Sequence, residues 1–192
     1  MKRILLLTAM LLVILTASAQ YVDLGLPSGL KWATYNIGAD KPEEYGDKFA
    51  WGEIEMKSSY DMDNNLTSGD AFNNEDVSGN LRYDAAATQW GAPWRMPTYE
   101  ECMELVDKCN WEQMTRNGVK GILGTGPNGN SIFFPFAGSC FKTTLYGAGE
   151  YGECWSSTPT YFENGAYSMT FLEHAFVLNE DRFYGNSIRP VF

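Results

Sequence analysis

Residues 161–184, near the C-terminus, are rich in polar and aromatic side chains. Apolar and polar residues alternate here as in strands with one buried face. Four apolar side chains are predicted to point inward: Met169, Phe171, Phe176 and Leu178. The same alternation predicts four side chains that point outward: Ser168, Thr170, Val177 and Asn179.

Aromatic rings beside adaptable polar groups are typical of surfaces that bind sugars or proteins. The exposed face of this stretch therefore predicts a ligand-binding surface. Its predicted binding residues are Tyr161, Glu163, Asn164, Ser168, Thr170, His174, Asn179 and Asp181.

Carboxylates in the same stretch offer a second chemistry. Glycoside hydrolysis uses a pair of Asp or Glu side chains about 5–10 Å apart. Residues of the required type are Glu163, Glu173, Glu180 and Asp181. Nothing in their spacing brings two of them to that separation. We therefore predict that the chain is not an enzyme and keep a carboxylate-dependent hydrolase as an alternative.

His174 is the only histidine of the chain. This excludes a metal site with several histidine ligands, and a nucleophilic triad would depend on this one residue. The residues around it are typical of a turn between two strands. We therefore interpret His174 as an exposed loop residue.

The chain has four cysteines, at positions 102, 109, 140 and 154. Cys102 and Cys109 lie about 10 Å apart if they share one helix, which is too far for a disulfide. Cys140 and Cys154 flank a loop rich in Gly and Tyr and can face each other across a hairpin. We favour a disulfide between Cys140 and Cys154, with Cys102 and Cys109 as core thiols.

Asp61 and Asp63 begin a stretch similar to a calcium-binding loop. An EF-hand, however, needs Gly and Glu at positions where this chain has Leu66 and Phe72. A calcium site of another kind stays open as an alternative, with ligands among Asp61, Asp63, Asp70, Glu75 and Asp76. Composition favours a solvated acidic loop, and no other cofactor is predicted.

The first residues are typical of an export signal. An apolar run at 4–15 follows a basic start and precedes a small-x-small cleavage site at 17–19. We expect residues 1–19 to be removed and residues 20–192 to form one exported domain, which is periplasmic, at the cell surface or secreted. The run is too short to span a membrane comfortably, and no second run follows, so no membrane span is predicted.

The charge balance excludes one class of partner. Without Lys2 and Arg3 the chain has 12 basic and 24 acidic residues, a net charge near −12. Such a surface repels phosphate backbones, so nucleic acid is not expected as a partner.

The elements that position these residues can be read from local patterns. Thr98 and Glu101 have the spacing of a capping box, which predicts a helix over about 98–110. Its apolar face consists of Cys102, Leu105, Val106 and Cys109. Strands are predicted at 21–25, 30–34, 118–124, 131–138, 154–157, 166–172, 175–178 and 187–192.

Residues 124–129 match G-x-G-x-x-G, the dinucleotide-binding pattern. That pattern requires a following helix, whereas a strand follows here, so these residues are predicted to form a hairpin turn. The predicted fold class is α+β, with a long irregular segment between residues 41 and 91.

The chain also contains a series of short motifs. They are residues 22–34 (VDLGLPSGLKWAT), 43–47 (EEYGD), 50–53 (AWGE), 94–98 (WRMPT), 126–138 (GPNGNSIFFPFAG), 154–158 (CWSST) and 187–191 (SIRPV). In this order they resemble the Fibrobacter succinogenes major paralogous domain family of exported Bacteroidetes proteins. The resemblance covers essentially all of residues 20–192.

That family is similar to the C-type-lectin fold and to the formylglycine-generating-enzyme-like group. The resemblance implies a C-type-lectin-like fold, with one main helix at about 98–110 and antiparallel sheets. Enzymes of that group depend on copper-binding cysteines near the C-terminus. No cysteine follows Cys154 here, so the resemblance implies the fold without that activity.

From the residues and the resemblance together we expect an exported, non-catalytic module that presents residues 161–181 to a glycan or cell-surface protein. Related folds also serve as variable proteins of diversity-generating retroelements. The variable residues of those proteins correspond to about 161–181 here, so a variable receptor of such an element stays open as an alternative. A structural subunit of a surface assembly is a separate alternative.

Overall fold

A computed structural model describes residues 21–68, 74–162 and 164–192. The predicted signal peptide (1–19) and the candidate residues Asp70 and Glu163 lie outside these ranges. The described chain has an α+β fold, as predicted. It has two α-helices, α1 (Ala85–Trp90) and α2 (Tyr99–Lys108), and a 3-10 turn at Met62–Asn64. None of its helices has the length and hydropathy to cross a bilayer.

The strands form three sheets within the described residues. A two-stranded hairpin pairs β1 (Tyr21–Asp23) with β2 (Lys31–Ala33), and an antiparallel sheet contains β3 (Asn110–Arg116), β4 (Val119–Thr125) and β5 (Ser131–Pro135). The third sheet has the order β10-β9-β8-β6-β7. Its strands are β6 (Ala137–Phe141), β7 (Thr144–Ala148), β8 (Gly152–Pro159), β9 (Gly165–Phe171) and β10 (Ala175–Asp181).

The main helix is confirmed, and local chemistry fixes its start. The Thr98 side chain accepts a hydrogen bond from the Glu101 amide, and the Glu101 carboxylate accepts one from the Thr98 amide. Glu101 also binds the Arg95 guanidinium at 2.6 and 2.7 Å. The helix ends at Lys108, slightly earlier than predicted, because the chain enters β3 at Asn110.

The third sheet is covered on both faces at its centre. Helix α2 packs against β8, β9 and β10 and contributes Cys102 and Leu105 to the core on that side. Successive residues of a strand point to opposite faces. Trp155 and Ala166 accordingly join a second core on the other side, together with Phe49 and Trp51 from the long irregular segment.

Arg189 is fully buried and ties the C-terminal segment to distant parts of the chain. Its Nε donates to the Asn36 side chain at 2.9 Å, and its Nη atoms donate to the carbonyls of Ala33 and Phe133 at 3.2–3.3 Å. The guanidinium also lies 4.3 Å from the centroid of the Phe134 ring. Burial lowers the pKa of Arg189 to about 10, and no carboxylate of the described residues forms an ion pair with it.

The predicted strand at 187–192 is replaced by isolated bridges. Gly185 pairs with Cys140, Ser187 with Cys154, and Val191 with both Trp32 and Arg95. The segment therefore links several elements and extends no single sheet.

The course of residues 185–187 explains why Cys140 and Cys154 do not face each other across a hairpin. The disulfide predicted between them is therefore absent. Strands β6 and β8 are parallel and pair only at Gly138 and Gly152, and residues 185–187 lie between the two cysteines. All four cysteines are free thiols, and Cys102 and Cys109 are buried, as expected.

Replacing Arg189 with Met tests the role of the buried guanidinium. The variant keeps most of the side-chain volume but leaves the oxygens of Asn36, Ala33 and Phe133 without their donor. Buried polar groups that lose a partner cost about 1–3 kcal/mol each. We expect urea denaturation to show a loss of about 3 kcal/mol or more in the free energy of unfolding.

The matched control is Arg116→Met. Arg116 is partly exposed and forms an ion pair with Glu43 at 3.6 Å, so the expected change is at most about 1 kcal/mol. Equal losses in the two variants would contradict the role given to Arg189.

Candidate functional site

The structure describes seven of the eight predicted binding residues, all except Glu163, and does not bring these seven together. Tyr161 lies in the connection from β8 to β9, and His174 lies in the turn from β9 to β10. In the hairpin of β9 and β10, Phe171 pairs with Ala175 at one end and Gly165 pairs with Asp181 at the other. The two ends are six residues of extended strand apart, which is about 20 Å. Tyr161 and His174 are both exposed, but they cannot contact one small ligand.

The predicted outward orientation of Ser168 and Thr170 is wrong. Their relative exposures are 0% and 5%. Ser168 lies opposite Trp155 in the β8–β9 pair, so it points to the second core. The prediction assumed that one face of β9 is solvated, whereas the long irregular segment covers that face.

The orientations predicted for Val177 and Leu178 are also reversed. Val177 lies opposite Met169 and packs against the first core, while Leu178 is 47% exposed. The remaining polar candidates are Asn164, which is half-buried, and Asn179 and Asp181, which are exposed. They lie at the end of the hairpin that also carries Tyr161.

A different group of side chains surrounds a cleft of about 270 Å³. It lies where β6, β7, β8 and β10 meet the segment after β10. Its lining residues are Ser139, Phe141, Tyr146, Tyr151, Glu153, Glu180 and Tyr184. We call this the glutamate cleft.

Aromatic rings form the walls of the glutamate cleft. The Tyr184 ring packs 5.5 Å from Phe141 and 4.7 Å from Phe183, measured between centroids. Tyr151 packs over Gly147, where a Cβ atom would lie only 1.8 Å from its ring. Gly147 also has a φ of 66°, which favours glycine. Both rings are therefore held in place by their neighbours.

Two carboxylates face the same cleft. Burial and the neighbouring Glu180 raise the pKa of Glu153 to about 7. Burial also raises the pKa of Glu180; a hydrogen bond from the Asp181 amide opposes this rise, and the charge of Asp181 adds to it. Like charges in a poorly solvated cleft oppose each other's ionisation. With a pKa of about 7, Glu153 is about half protonated at neutral pH.

The floor of the cleft contains groups that favour the ionised form of Glu153. Ser139 donates to the Asn186 side-chain oxygen at 2.5 Å, and both residues lie beside the Glu153 carboxylate and lower its pKa. Lys48 acts in the same direction from behind the cleft. Its ammonium group is buried and donates to the Gly138 carbonyl at 2.7 Å and to Ser187 Oγ at 3.0 Å.

Two other cavities, of about 350 and 310 Å³, lie near β3 and near β1. The charged lining residues are Lys120 and Glu150 in the first and Arg116 in the second, so neither contains two carboxylates. Concave sites with perturbed titratable groups are the first candidates for function. The glutamate cleft is therefore the candidate site.

The described residues contain no group of three or more His, Cys, Asp or Glu that could hold a metal ion. Two of the acidic residues proposed for calcium accept hydrogen bonds from nearby serines. Asp61 accepts from Ser59 at 3.1 Å, and Asp76 accepts from the Ser78 amide at 2.8 Å.

The sequence-based predictions missed the glutamate cleft. They included only Glu180, as a candidate for hydrolysis, and the polar and aromatic stretch 161–184, whose last residue is Tyr184. The signal that was available is the concentration of Gly and Tyr in residues 145–152. The convergence of this loop with β10 depends on the order of the strands in the sheet, which local patterns do not reveal.

Comparisons with known proteins identify no relative: no family model, no curated protein and no solved structure matches the chain.

The raised pKa of Glu153 predicts an unusual pH dependence of stability. The folded state binds this proton more tightly than the unfolded chain, whose Glu pKa is near 4.5. The free energy of unfolding therefore falls as the pH rises from 4.5 to about 7. A shift of this size corresponds to a loss of up to about 3 kcal/mol.

Glu153→Gln removes this titration. We expect urea denaturation at about pH 5 and about pH 7.5 to show a smaller loss in this variant than in the parent protein. The control is Glu112→Gln, which changes an exposed residue of β3 and should keep the parent's slope. The same slope in all three proteins would show that Glu153 titrates normally.

Proposed function

We propose that this protein is an exported, non-catalytic binding module with a C-type-lectin-like fold, whose glutamate cleft binds a unit of a glycan. The observation that carries the proposal is a small concave site with three tyrosines and two carboxylates. Its walls are already held by packing, so little side-chain freedom is lost on binding.

The positions of the resembling motifs support this division between scaffold and site. Trp32, Trp51, Trp155 and Arg189 come from four different motifs and are all fully buried. None of them lines the glutamate cleft. Motifs of this kind maintain the fold, and the ligand is chosen by other residues.

The chemistry of the lining matches a sugar ring. Tyrosine offers an apolar face to the C–H groups of a sugar and a hydroxyl group that can hydrogen-bond to its oxygens. Tyr146 is 51% exposed at the rim, while Tyr151 and Tyr184 are half-buried. The volume is slightly below the roughly 300–1,000 Å³ of sites for larger ligands, and it fits one sugar unit.

Hydrolysis is the second candidate, because Glu153 and Glu180 share one cleft and Glu153 has the raised pKa of a general acid. Glycosidases, however, separate the pKa values of their two carboxyl groups, so that one stays ionised. Here neither glutamate forms an ion pair with a basic group of the described residues that would hold it ionised. This favours binding over catalysis.

A glycan array probed with the wild-type protein and two sets of variants tests the site. The double variant Tyr151→Ala, Tyr184→Ala removes two walls of the cleft, and we expect it to weaken binding at least about tenfold. The triple variant Tyr161→Ala, His174→Ala, Asn179→Ala changes the surface predicted from sequence and should bind like the wild type. Thermal melts of all three proteins control for folding.

The opposite pattern, with binding lost only in the triple variant, would place the site on the 161–181 surface. Turnover of chromogenic glycosides that disappears in Glu153→Gln would replace binding with hydrolysis as the function.

A further inference from the structure

We infer that the glutamate cleft selects an amino sugar whose amine is free and protonated, and that the ammonium group lies between Glu153 and Glu180. This inference rests on the proposed binding function and specifies its ligand.

The first argument is charge. None of the residues that line the cleft is basic, while two of them are glutamates. Further acidic groups lie nearby, because Glu150 acts on Tyr151 and Asp181 acts on Tyr184. Lys48 is directed to a carbonyl and a hydroxyl behind the cleft. A cation from the ligand would therefore meet acidic groups on several sides.

The second argument is a buried donor behind Glu153. Asn186 is fully buried, its Nδ2 makes no hydrogen bond within normal limits of distance and angle to the described residues, and the acceptor within its reach is the Glu153 carboxylate. This amide lies beside Glu153 and favours the ionised carboxylate. A buried donor without a partner is costly unless some state of the protein uses it. Ionised Glu153 is the acceptor that would use it, and a bound cation would produce that state.

The third argument concerns the aromatic walls. The faces of Tyr rings attract cations electrostatically, and the attraction grows when water is excluded. The cleft carries three Tyr rings around its carboxylates, and its one Phe ring, that of Phe141, already lies 5.5 Å from the ammonium of Lys142. Ring faces combined with carboxylates therefore match a ligand that is both cationic and ring-shaped.

A lysine side chain shares the ammonium group but has neither a ring nor hydroxyl groups. The tyrosine hydroxyls and the shape of the cleft, which fits one sugar unit, favour the amino sugar over a basic peptide.

The test uses calorimetry with a glucosamine tetrasaccharide and its fully N-acetylated counterpart. Acetylation keeps the rings and removes the positive charge. We expect the glucosamine oligomer to bind the wild-type protein at least about tenfold more tightly than the acetylated one. Over the range in which the sugar amine stays protonated, the affinity of the glucosamine oligomer should also rise from about pH 5 toward pH 7, as Glu153 ionises.

Glu153→Gln and Glu180→Gln should each weaken binding of the glucosamine oligomer, and Glu153→Gln should also reduce the pH dependence. Glu112→Gln keeps the same change of net charge on an exposed site of β3 and should bind like the wild type. Thermal melts show whether each variant is folded. If one glutamate variant does not fold, the other still tests the inference.

Several outcomes would overturn the inference. Equal or tighter binding of the acetylated oligomer would leave a sugar-binding cleft without selection for an amine. Equal binding of a lysine-containing peptide would remove the preference for a sugar. Binding of glucosamine that is unchanged in both glutamate variants would place the ligand elsewhere. Absence of any glycan ligand, on the array and in calorimetry, would reject the proposed function as well.

Discussion

The buried guanidinium of Arg189 is the interaction on which the rest of the structure depends. A positive charge inside a protein is tolerated only when its donors are satisfied. Here the acceptors are the carbonyls of Ala33 and Phe133 and the side chain of Asn36, and the ring of Phe134 covers one face. These contacts join β2, β5 and the C-terminal segment around one point. The segment that precedes Arg189 is thereby held between β6 and β8.

This anchoring connects the core to the glutamate cleft. Asn186 and Ser187 belong to the same segment: Asn186 lies beside Glu153, and Ser187 accepts a hydrogen bond from Lys48. The floor of the cleft is therefore built on the segment that Arg189 anchors. The placement of Glu153 beside Glu180 in a poorly solvated cleft has an electrostatic cost. Such costs are concentrated at sites where a ligand can offset them.

Local chemistry was predictable from the sequence, and long-range placement was not. The capping box of Thr98 and Glu101 and the turn at residues 126–129 depend on near neighbours, and both formed as expected. The burial of Ser168 depends on a loop more than 100 positions away in the chain, since Trp51 belongs to the core that covers it. The separation of Cys140 from Cys154 depends on residues 185–187. Alternation within one strand contains no information about either.

The most direct test of the account is an NMR titration of the Glu153 side-chain carboxyl carbon, with and without the glucosamine tetrasaccharide. The account predicts a pKa of about 7 in the free protein and a clear decrease when the ligand is bound. A pKa near the ordinary value of 4.5 in the free protein, unchanged by ligand, would contradict the account.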